Sequence, residues 1–219
     1  MTAPVTVLCV WVKGNVNYPP VYVHRLQQMV KKWMDRPYRF VCLTDRPWEL
    51  RSVDTIPVPC PRPLQGWWTK IRCFDASLYL SGRILYLDLD TLIVGPLGPI
   101  LDYPSKFALI PHAGLFEGRD GRAVVKRFNS SVMVWDAGVN HRLFDDWTPS
   151  VAQRLHGDQD WYGEQMHDAD LMPLEWFPRI SELGLEKPGK HAKVVLMKTP
   201  KNEEAAKRWT WVDLAWRVA

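Results

Sequence analysis

Two aspartates at the end of an apolar run, Asp88 and Asp90, have the spacing that most suggests chemistry in this sequence. The run at 84–87 has the composition of a strand buried on both faces, and acid is unexpected where such a strand ends. Because side chains alternate along a strand, both carboxylates fall on one side and can converge on one ligand. Hard cations such as Mg²⁺ or Mn²⁺ accept one or two carboxylates and complete their shell with phosphate oxygens. The pair therefore predicts a metal site for a nucleotide diphosphate. The alternative is an acidic strand end before a surface turn at Gly95 and Pro96.

Length and composition predict one soluble globular domain. The 219 residues can bury a substantial core, and 47% hydrophobic with 24% charged residues is ordinary for a globular protein. The apolar N-terminal run lacks the basic residues and cleavage site of a signal peptide, and no segment approaches the roughly 18 residues that span a bilayer. We therefore expect a cytoplasmic protein with no membrane partner. The net charge of +4 is compatible with phosphate-bearing substrates.

The four cysteines also favour an intracellular protein. Cys9, Cys42, Cys60 and Cys73 lie mostly within apolar segments and lack C-x-x-C spacing. This pattern is typical of buried thiols in a reducing compartment rather than of disulfides or a zinc site.

The order of elements in the first half predicts an α/β sheet. Apolar, β-branched runs predict strands at 5–12, 38–43, 54–58 and 84–87, and helical spacing predicts helices at 21–33 and 67–80. This order places the two aspartates at the carboxyl end of a central strand, the edge at which open α/β sheets bind ligands.

The second half is less regular. Its pattern predicts strands at 107–111, 128–136 and 192–197, a glycine-rich loop at 114–121, and a helix at 143–155 that is interrupted at Pro149. The tail at 202–219 has the pattern of an amphipathic helix.

Three stretches in this order carry a resemblance to a known family: ILYLDLDTLIVGPL, FNSSVMVWDAG and GDQDWY. Together they resemble the metal-dependent nucleotide-sugar transferases of the GT-A fold, closest to glycosyltransferase family 8, over most of the chain. The resemblance implies a Rossmann-like α/β/α sandwich with a mainly parallel central sheet, in a single domain spanning 1–219. Residues 1–100 would form the nucleotide-binding half, 101–201 the donor-sugar and acceptor half, and 202–219 a C-terminal helix.

The same resemblance implies an activity. It predicts transfer of a hexose from a nucleotide sugar, usually a UDP-sugar, to an acceptor hydroxyl, with retention of configuration and with Mn²⁺ or Mg²⁺ as cofactor. Asp90 would bind the metal directly, and Asp88 would serve the metal and the ribose hydroxyls. The metal would neutralise the leaving diphosphate. Lys70 matches a basic position that contacts the donor, although a lysine at a helix start is often only solvated.

Two polar clusters match positions near the donor sugar. The first is Asn129, Ser130 and Ser131, for which the alternative is a polar strand entry. The second is Asp158, Gln159 and Asp160, which would lie beneath the sugar and stabilise oxocarbenium character at the anomeric carbon. The alternative for Asp158 is a helix N-cap.

The nucleobase and phosphate positions match the family less completely. Trp11 and Val12 close the first strand where the base docks in the family, although any one tryptophan of the 12 is more often a core residue. Lys198 stands where the family has a histidine ligand to the metal. Because a protonated lysine cannot ligate a metal but can neutralise a phosphate, the cation would be held by the aspartates alone, held weakly, or partly replaced. Lys201 matches the family's phosphate-gripping lysine.

The acceptor is the least specified part of this reading. Basic residues near the end of the chain, interleaved with Trp209 and Trp211, predict a groove for a nucleic-acid acceptor such as a modified base in DNA. They are Lys187, Lys190, Lys193, Lys198, Lys201, Lys207 and Arg208. Proteins, small glycosides and lipid-linked sugars are alternatives. A nucleotide-sugar or polyanion binder without transfer activity, and a nucleotidyltransferase on a similar sheet, are further alternatives for the whole chain.

Overall fold

The strands come from both halves of the sequence. The computed structural model describes residues 4–13, 18–58, 64–117, 123–166, 169–183, 186–197 and 201–217. Within these ranges the strands are β1 (Val5–Trp11), β2 (Tyr38–Thr44), β3 (Asp54–Pro57), β4 (Arg83–Leu87), β5 (Leu92–Ile93), β6 (Phe107–Glu117), β7 (Ala123–Asp136), β8 (Asp170–Leu171) and β9 (Val194–Val195).

The central sheet is mainly parallel, as the sequence predicts. Its seven strands have the order β3-β2-β1-β4-β7-β6-β8. The strands β3, β2, β1 and β4 run parallel, β7 pairs antiparallel with both β4 and β6, and β8 runs parallel to β6. The short strands β5 and β9 form a separate antiparallel pair. Because β4 lies between β1 and β7, its carboxyl end opens at the centre of the sheet.

Helices cover both faces of this sheet. They are α1 (Val21–Trp33), α2 (Gly98–Leu101), α3 (Arg142–Asp145), α4 (Pro149–Arg154), α5 (Asp158–Gln165), α6 (Ile180–Leu183), α7 (Asn202–Arg208) and α8 (Thr210–Trp216), with 3₁₀ helices at Pro47–Glu49, Gly66–Phe74, Ala76–Leu78 and Leu174–Trp176. None of the helices in the described part of the chain is long and apolar enough to cross a bilayer.

Two hydrophobic clusters, one on each face, hold the layers together. Along β4, Leu85 and Leu87 enter the cluster that includes α1 and α8, whereas Ile84 and Tyr86 enter the cluster that includes the 3₁₀ helix Gly66–Phe74 and α5. This alternation follows from the twofold period of a strand that is buried on both sides. The predicted α/β/α sandwich is therefore confirmed.

The first helix has the predicted bounds. One face of α1 is buried because its apolar side chains recur at helical spacing, and Lys31 and Lys32 in the last turn interact favourably with the negative end of the helix dipole. Cys9, Cys42 and Cys73 are buried free thiols, as predicted, and Cys60 lies outside the described residues.

Three predicted elements differ from the structure. The helix at 67–80 is instead two 3₁₀ helices, because the backbone of Asp75 is extended and its side chain accepts a hydrogen bond from the Ser77 amide. The strand at 107–111 continues to Glu117, into the predicted loop, because register shifts after Leu109 and after Pro111 accommodate the proline. The tail helix breaks at Trp209, whose backbone is extended.

Candidate active site

A cavity of about 470 Å³ lies at the carboxyl edge of β1 and β4. It is the edge at which the sequence predicts a ligand. The described residues that line it are Val10, Val12, Tyr18, Gly66, Trp67, Lys70, Tyr86, Asp88, Leu89, Asp90, His156, Gly157, Asp158 and Gln159. Most of the residues singled out in the sequence as donor or catalytic candidates therefore lie in or beside one pocket.

The two aspartates reach this pocket from a turn, not from a continuing strand. β4 ends at Leu87, and the Asp88 carbonyl accepts hydrogen bonds from the amide and the hydroxyl of Thr91, at 3.2 Å and 2.7 Å. The Asp88 amide donates to the Ser131 carbonyl of β7 at 2.8 Å. Both carboxylates line the cavity as predicted, but a tight turn anchored to β7 places them there, and strand alternation does not.

Lys70 is the centre of a buried ionic cluster. Its Nζ lies 2.8 Å from Asp88 Oδ1 and 3.0 Å from Asp88 Oδ2, and it donates to Ser130 Oγ at 3.2 Å. Asp158 Oδ2 lies 3.7 Å away. Burial alone would lower the pKa of Lys70, but the carboxylates of Asp158 and Asp88 outweigh burial and raise it. Lys70 is therefore a fixed cation in the cavity wall.

Asp158 completes the cluster from the start of α5. Its carboxylate is 6% exposed and accepts a hydrogen bond from Ser130 Oγ at 2.6 Å. Burial raises the pKa of Asp158, and this effect is opposed by Lys70 and by the Ser130 hydrogen bond. The N-cap of α5 is Gly157, so the Asp158 side chain is used to bond across to β7 and not to cap its own helix.

The rest of the D-Q-D segment divides between the cavity and the protein interior. Gln159 lines the cavity, whereas Asp160 is buried and accepts a hydrogen bond from the His156 amide at 3.0 Å. Asp160 thus fixes the loop that enters α5. Just before it, Gly157 lies against the Trp67 indole, because a Cβ at this glycine would be 3.2 Å from Trp67 Nε1.

The serine and asparagine cluster on β7 supports the cavity from behind. Ser130 is buried and bonds both Lys70 and Asp158. Asn129 Oδ1 accepts a hydrogen bond from the Ser131 amide at 2.8 Å, and the Ser131 carbonyl accepts from Asp88. None of the three is among the described residues that line the cavity.

The end of β1 contributes Val12 to the cavity wall, while Trp11 lies in the core. The Trp11 side chain is 1% exposed, and its indole donates to the Tyr18 carbonyl at 2.8 Å. The Arg46 guanidinium lies 3.9 Å from the centre of the indole ring, where it makes a cation–π contact. Trp11 therefore shapes the loop that carries Tyr18.

Asp90 has a separate set of partners. Its Oδ2 atom accepts a hydrogen bond from the Tyr18 hydroxyl at 2.8 Å and pairs with the Lys201 ammonium. Burial and then the charge of Asp90 raise the pKa of Tyr18, so the phenol stays protonated. Lys198, which the sequence places where the family has a histidine ligand, lies outside the described residues.

Sequence reasoning missed several residues of this site. Tyr18 precedes α1 in a loop with no recognisable motif, and Tyr86, whose hydroxyl donates to Asp88 Oδ1 at 2.9 Å, reads as an ordinary apolar strand residue. Trp67 precedes Lys70 by three positions and His156 precedes Asp158 by two, and this closeness to predicted site residues is the one signal that the sequence offers.

The residues fit a hard divalent cation in chemistry and charge, but not in number of ligands. Asp88 and Asp90 supply carboxylate oxygens. Together with Asp158 they make three carboxylates among the ion-paired groups at the cavity, against two ammonium groups, those of Lys70 and Lys201. This excess of negative charge favours a cation. No group of three or more His, Cys, Asp or Glu residues in the described part of the chain could hold a metal. The rest of a metal's shell would have to come from substrate oxygens and water.

Comparison with solved structures identifies the fold. The seven-stranded, mainly parallel sheet and its helical layers correspond to the GT-A type of α/β fold that the three motifs predict. The chain is similar to the crystal structure of the galactosyltransferase LgtC in complex with donor and acceptor sugar analogues, with a TM-score of 0.64 and 16% sequence identity over 98% of this chain and 97% of that chain. At this identity the likeness shows the fold, and the predicted resemblance is confirmed at that level. No protein-family model and no curated protein matches the chain in sequence.

Proposed function

We propose that this protein is a glycosyltransferase that moves a hexose from a UDP-sugar to an acceptor hydroxyl. The observation that carries the proposal is the single cavity in which Lys70, Asp88, Asp90, Asp158 and Gln159 meet, at the ligand-binding edge of a GT-A-type sheet. The similar solved structure holds donor and acceptor sugar analogues, and this supports the same class of ligand here.

The charges of the cavity suit the departure of a diphosphate. As the bond between the anomeric carbon and the diphosphate oxygen breaks, the electron pair moves to the leaving UDP. Lys70 is a prepositioned cation that can stabilise this charge without reorganising. The acceptor oxygen forms the new bond to the anomeric carbon, and its proton passes to the diphosphate oxygen that leaves, with retention of configuration in the proposed reaction.

We propose one binding site for a divalent cation in this cavity. Asp88 and Asp90 would hold Mn²⁺ or Mg²⁺, which supplies Lewis-acid stabilisation of the diphosphate when it is bound. Asp158 and Gln159 would lie beside the donor sugar, as the resemblance of the D-Q-D segment implies, and both line the same cavity as the two aspartates.

Trp67 is our candidate for the acceptor side of the cavity. Trp67 lines the cavity and is 41% exposed, and its indole lies against the backbone of Gly157. A large aromatic face offers apolar contact to the face of a sugar ring. Trp67→Ala should therefore raise the KM for the acceptor severalfold while leaving UDP binding nearly unchanged, as measured by steady-state kinetics and calorimetry. Trp48→Ala, at a 72% exposed position that does not line the cavity, is the control.

A nucleic-acid acceptor receives less support from the placement of the basic residues. Trp209 and Trp211 are half-buried and pack against the hydrophobic core, so neither is a fully exposed ring on which a base could stack. Arg208 pairs with Glu204, and Lys201 pairs with Asp90 inside the site. We therefore propose a sugar-bearing acceptor ahead of a modified base in DNA.

Release of UDP from UDP-glucose and UDP-galactose, with and without Mn²⁺, tests the proposed function. We expect slow hydrolysis that a suitable sugar acceptor accelerates. Asp90→Ala should reduce UDP release at least about a hundredfold with the fold retained, because it removes a carboxylate that would hold the cation on the diphosphate. Asp54→Ala is the matched control, because Asp54 also pairs with a cationic side chain, that of Arg39, but lies in the edge strand β3, outside the cavity.

The alternatives give different outcomes. Binding of UDP-sugars with no turnover on any acceptor indicates a binder. Release of pyrophosphate from a nucleoside triphosphate indicates a nucleotidyltransferase. Unchanged UDP release by Asp90→Ala contradicts the assignment of this cavity.

A further inference from the structure

Lys201 occupies one carboxylate oxygen of Asp90, a residue that we propose as a metal ligand. Its ammonium pairs with Asp90 Oδ2, the same oxygen that accepts the Tyr18 hydroxyl at 2.8 Å. The Lys201 ammonium also lies 5.6 Å from the centre of the Tyr18 ring, so it is close to both the phenol ring and the Asp90 carboxylate. A cation that bound this oxygen would meet a positive charge already in place.

Lys201 differs from Lys70 in how easily it can leave. Lys70 is 11% exposed and is bonded to Asp88, Ser130 and Asp158, so its departure would leave buried carboxylates uncompensated. The Lys201 side chain is 39% exposed, and it can turn toward another anion without crossing the protein interior. The two lysines therefore have different mobility at the same cavity.

We propose that Lys201 competes with a divalent cation for Asp90, and that a nucleoside diphosphate relieves the competition by drawing the Lys201 ammonium onto its phosphates. This inference rests on the proposed function for the identity of the diphosphate. It goes beyond that function in making metal binding and donor binding mutually dependent, with Lys201 as the exchanging group.

The physical basis is that one carboxylate oxygen cannot serve two cations equally well. An ammonium and a divalent cation a few ångströms apart repel each other, and the repulsion is strong in a partly buried site. A diphosphate gives the ammonium a charge-assisted partner of at least equal strength. By linkage, a donor that removes Lys201 from Asp90 raises the affinity for metal by the same factor by which metal raises the affinity for donor.

Calorimetric titration with Mn²⁺ alone and with UDP tests this inference on the intact chain. The variants are Lys201→Met, which keeps the length of the side chain but not its charge, and Lys201→Arg, which keeps the charge. Lys207→Met is the matched control, because Lys207 is exposed on α7 and does not line the cavity. Thermal unfolding of each variant shows that the fold is retained.

We expect Lys201→Met to bind Mn²⁺ alone roughly tenfold more tightly than the unaltered protein, a size typical of coupling between sites. Lys201→Arg and Lys207→Met should stay close to the unaltered protein. In Lys201→Met, saturating UDP should also raise the Mn²⁺ affinity by a smaller factor than it does in the unaltered protein.

Equal Mn²⁺ affinity for Lys201→Met and the unaltered protein overturns the proposal, as does an increase that Lys207→Met reproduces. Failure to detect any Mn²⁺ binding to Lys201→Met overturns it too. These outcomes are separate from those for the proposed function: tighter Mn²⁺ binding by Lys201→Met in a protein that transfers no sugar refutes the transferase and leaves the competition at Asp90 in place.

Discussion

Asp88 and Asp90 are two residues apart, line one cavity and each pair with a lysine, yet their surroundings differ. Asp88 belongs to a buried cluster in which Lys70 also meets Ser130 and Asp158. Asp90 pairs with Lys201, whose side chain is 39% exposed, and with the hydroxyl of Tyr18. The first arrangement is a fixed part of the fold, whereas the second can change partners. A D-x-D motif can therefore combine a structural carboxylate with an exchangeable one.

Neutralising the two lysines separates these roles most strongly. Lys70→Met should lower the free energy of unfolding by about 3–5 kcal/mol, because it leaves buried carboxylates without a cation. Lys201→Met should lower it by a smaller amount, because the Lys201 side chain is 39% exposed and Asp90, which is 13% exposed, keeps the hydrogen bond from the Tyr18 hydroxyl. Urea denaturation of both variants measures the difference. Equal losses would contradict the distinction between a fixed and an exchangeable aspartate.

Removing one hydroxyl from the cluster around Lys70 and one from the surroundings of Asp90 sharpens the comparison. Ser130→Ala should cost about 1–3 kcal/mol, because it removes a buried partner of both Lys70 and Asp158. Tyr18→Phe removes the hydroxyl on Asp90 and should cost about 0.5–1.5 kcal/mol, the net value of an ordinary hydrogen bond. The free energies of unfolding, measured at one pH, decide the order. A larger loss of stability for Tyr18→Phe than for Ser130→Ala would contradict our assignment of the Lys70 cluster as the fixed part of the site.

The last prediction concerns how the free energy of unfolding depends on pH through Asp158. Its pKa is raised in the folded protein, so the folded state holds this proton more tightly than the unfolded state, in which an aspartate has a pKa of about 3.9. The contribution to stability is therefore complete below about pH 4 and is lost as the pH rises through the folded pKa, with a slope of at most about 1.4 kcal/mol per pH unit.

Asp158→Asn has no proton to lose at this position. The free energy of unfolding of this variant, relative to that of the unaltered protein, should therefore rise as the pH increases across the same window and then level off. A difference that stays constant between pH 4 and pH 7 would show that the buried carboxylate has an ordinary pKa.

The sequence predicts the scaffold of the site well, because local patterns determine it. The apolar run before Asp88 identifies a buried strand, the spacing in 21–33 identifies α1, and sheet order then brings the aspartates to the ligand-binding edge. Lys70 and Asp158 are predicted as site residues because the motifs around them resemble those of the family. All of these patterns involve residues close together in the sequence, so one sequence is enough to recognise them.

The pairing of Asp90 with Lys201 and Tyr18 could not be predicted from such local patterns. Lys201 follows Asp90 by 111 positions, and its pairing depends on how the end of the chain packs beside the cavity. Tyr18 lies in a loop whose sequence carries no periodicity. The 3₁₀ geometry that presents Lys70 and the break at Asp75 arise from local backbone hydrogen bonding that the apolar stripe of the segment does not reveal.

The main-chain bond between the Asp88 amide and the Ser131 carbonyl constrains how substrates enter. β7 pairs with the whole of β4, from Leu87 opposite Val132 back to Arg83 opposite Asp136, so its backbone holds the strand that leads to Asp88. The end of β4 cannot move without breaking these hydrogen bonds of the sheet. A ligand of the cavity must therefore enter from its rim, while the base of the cavity beside Asp88 stays rigid.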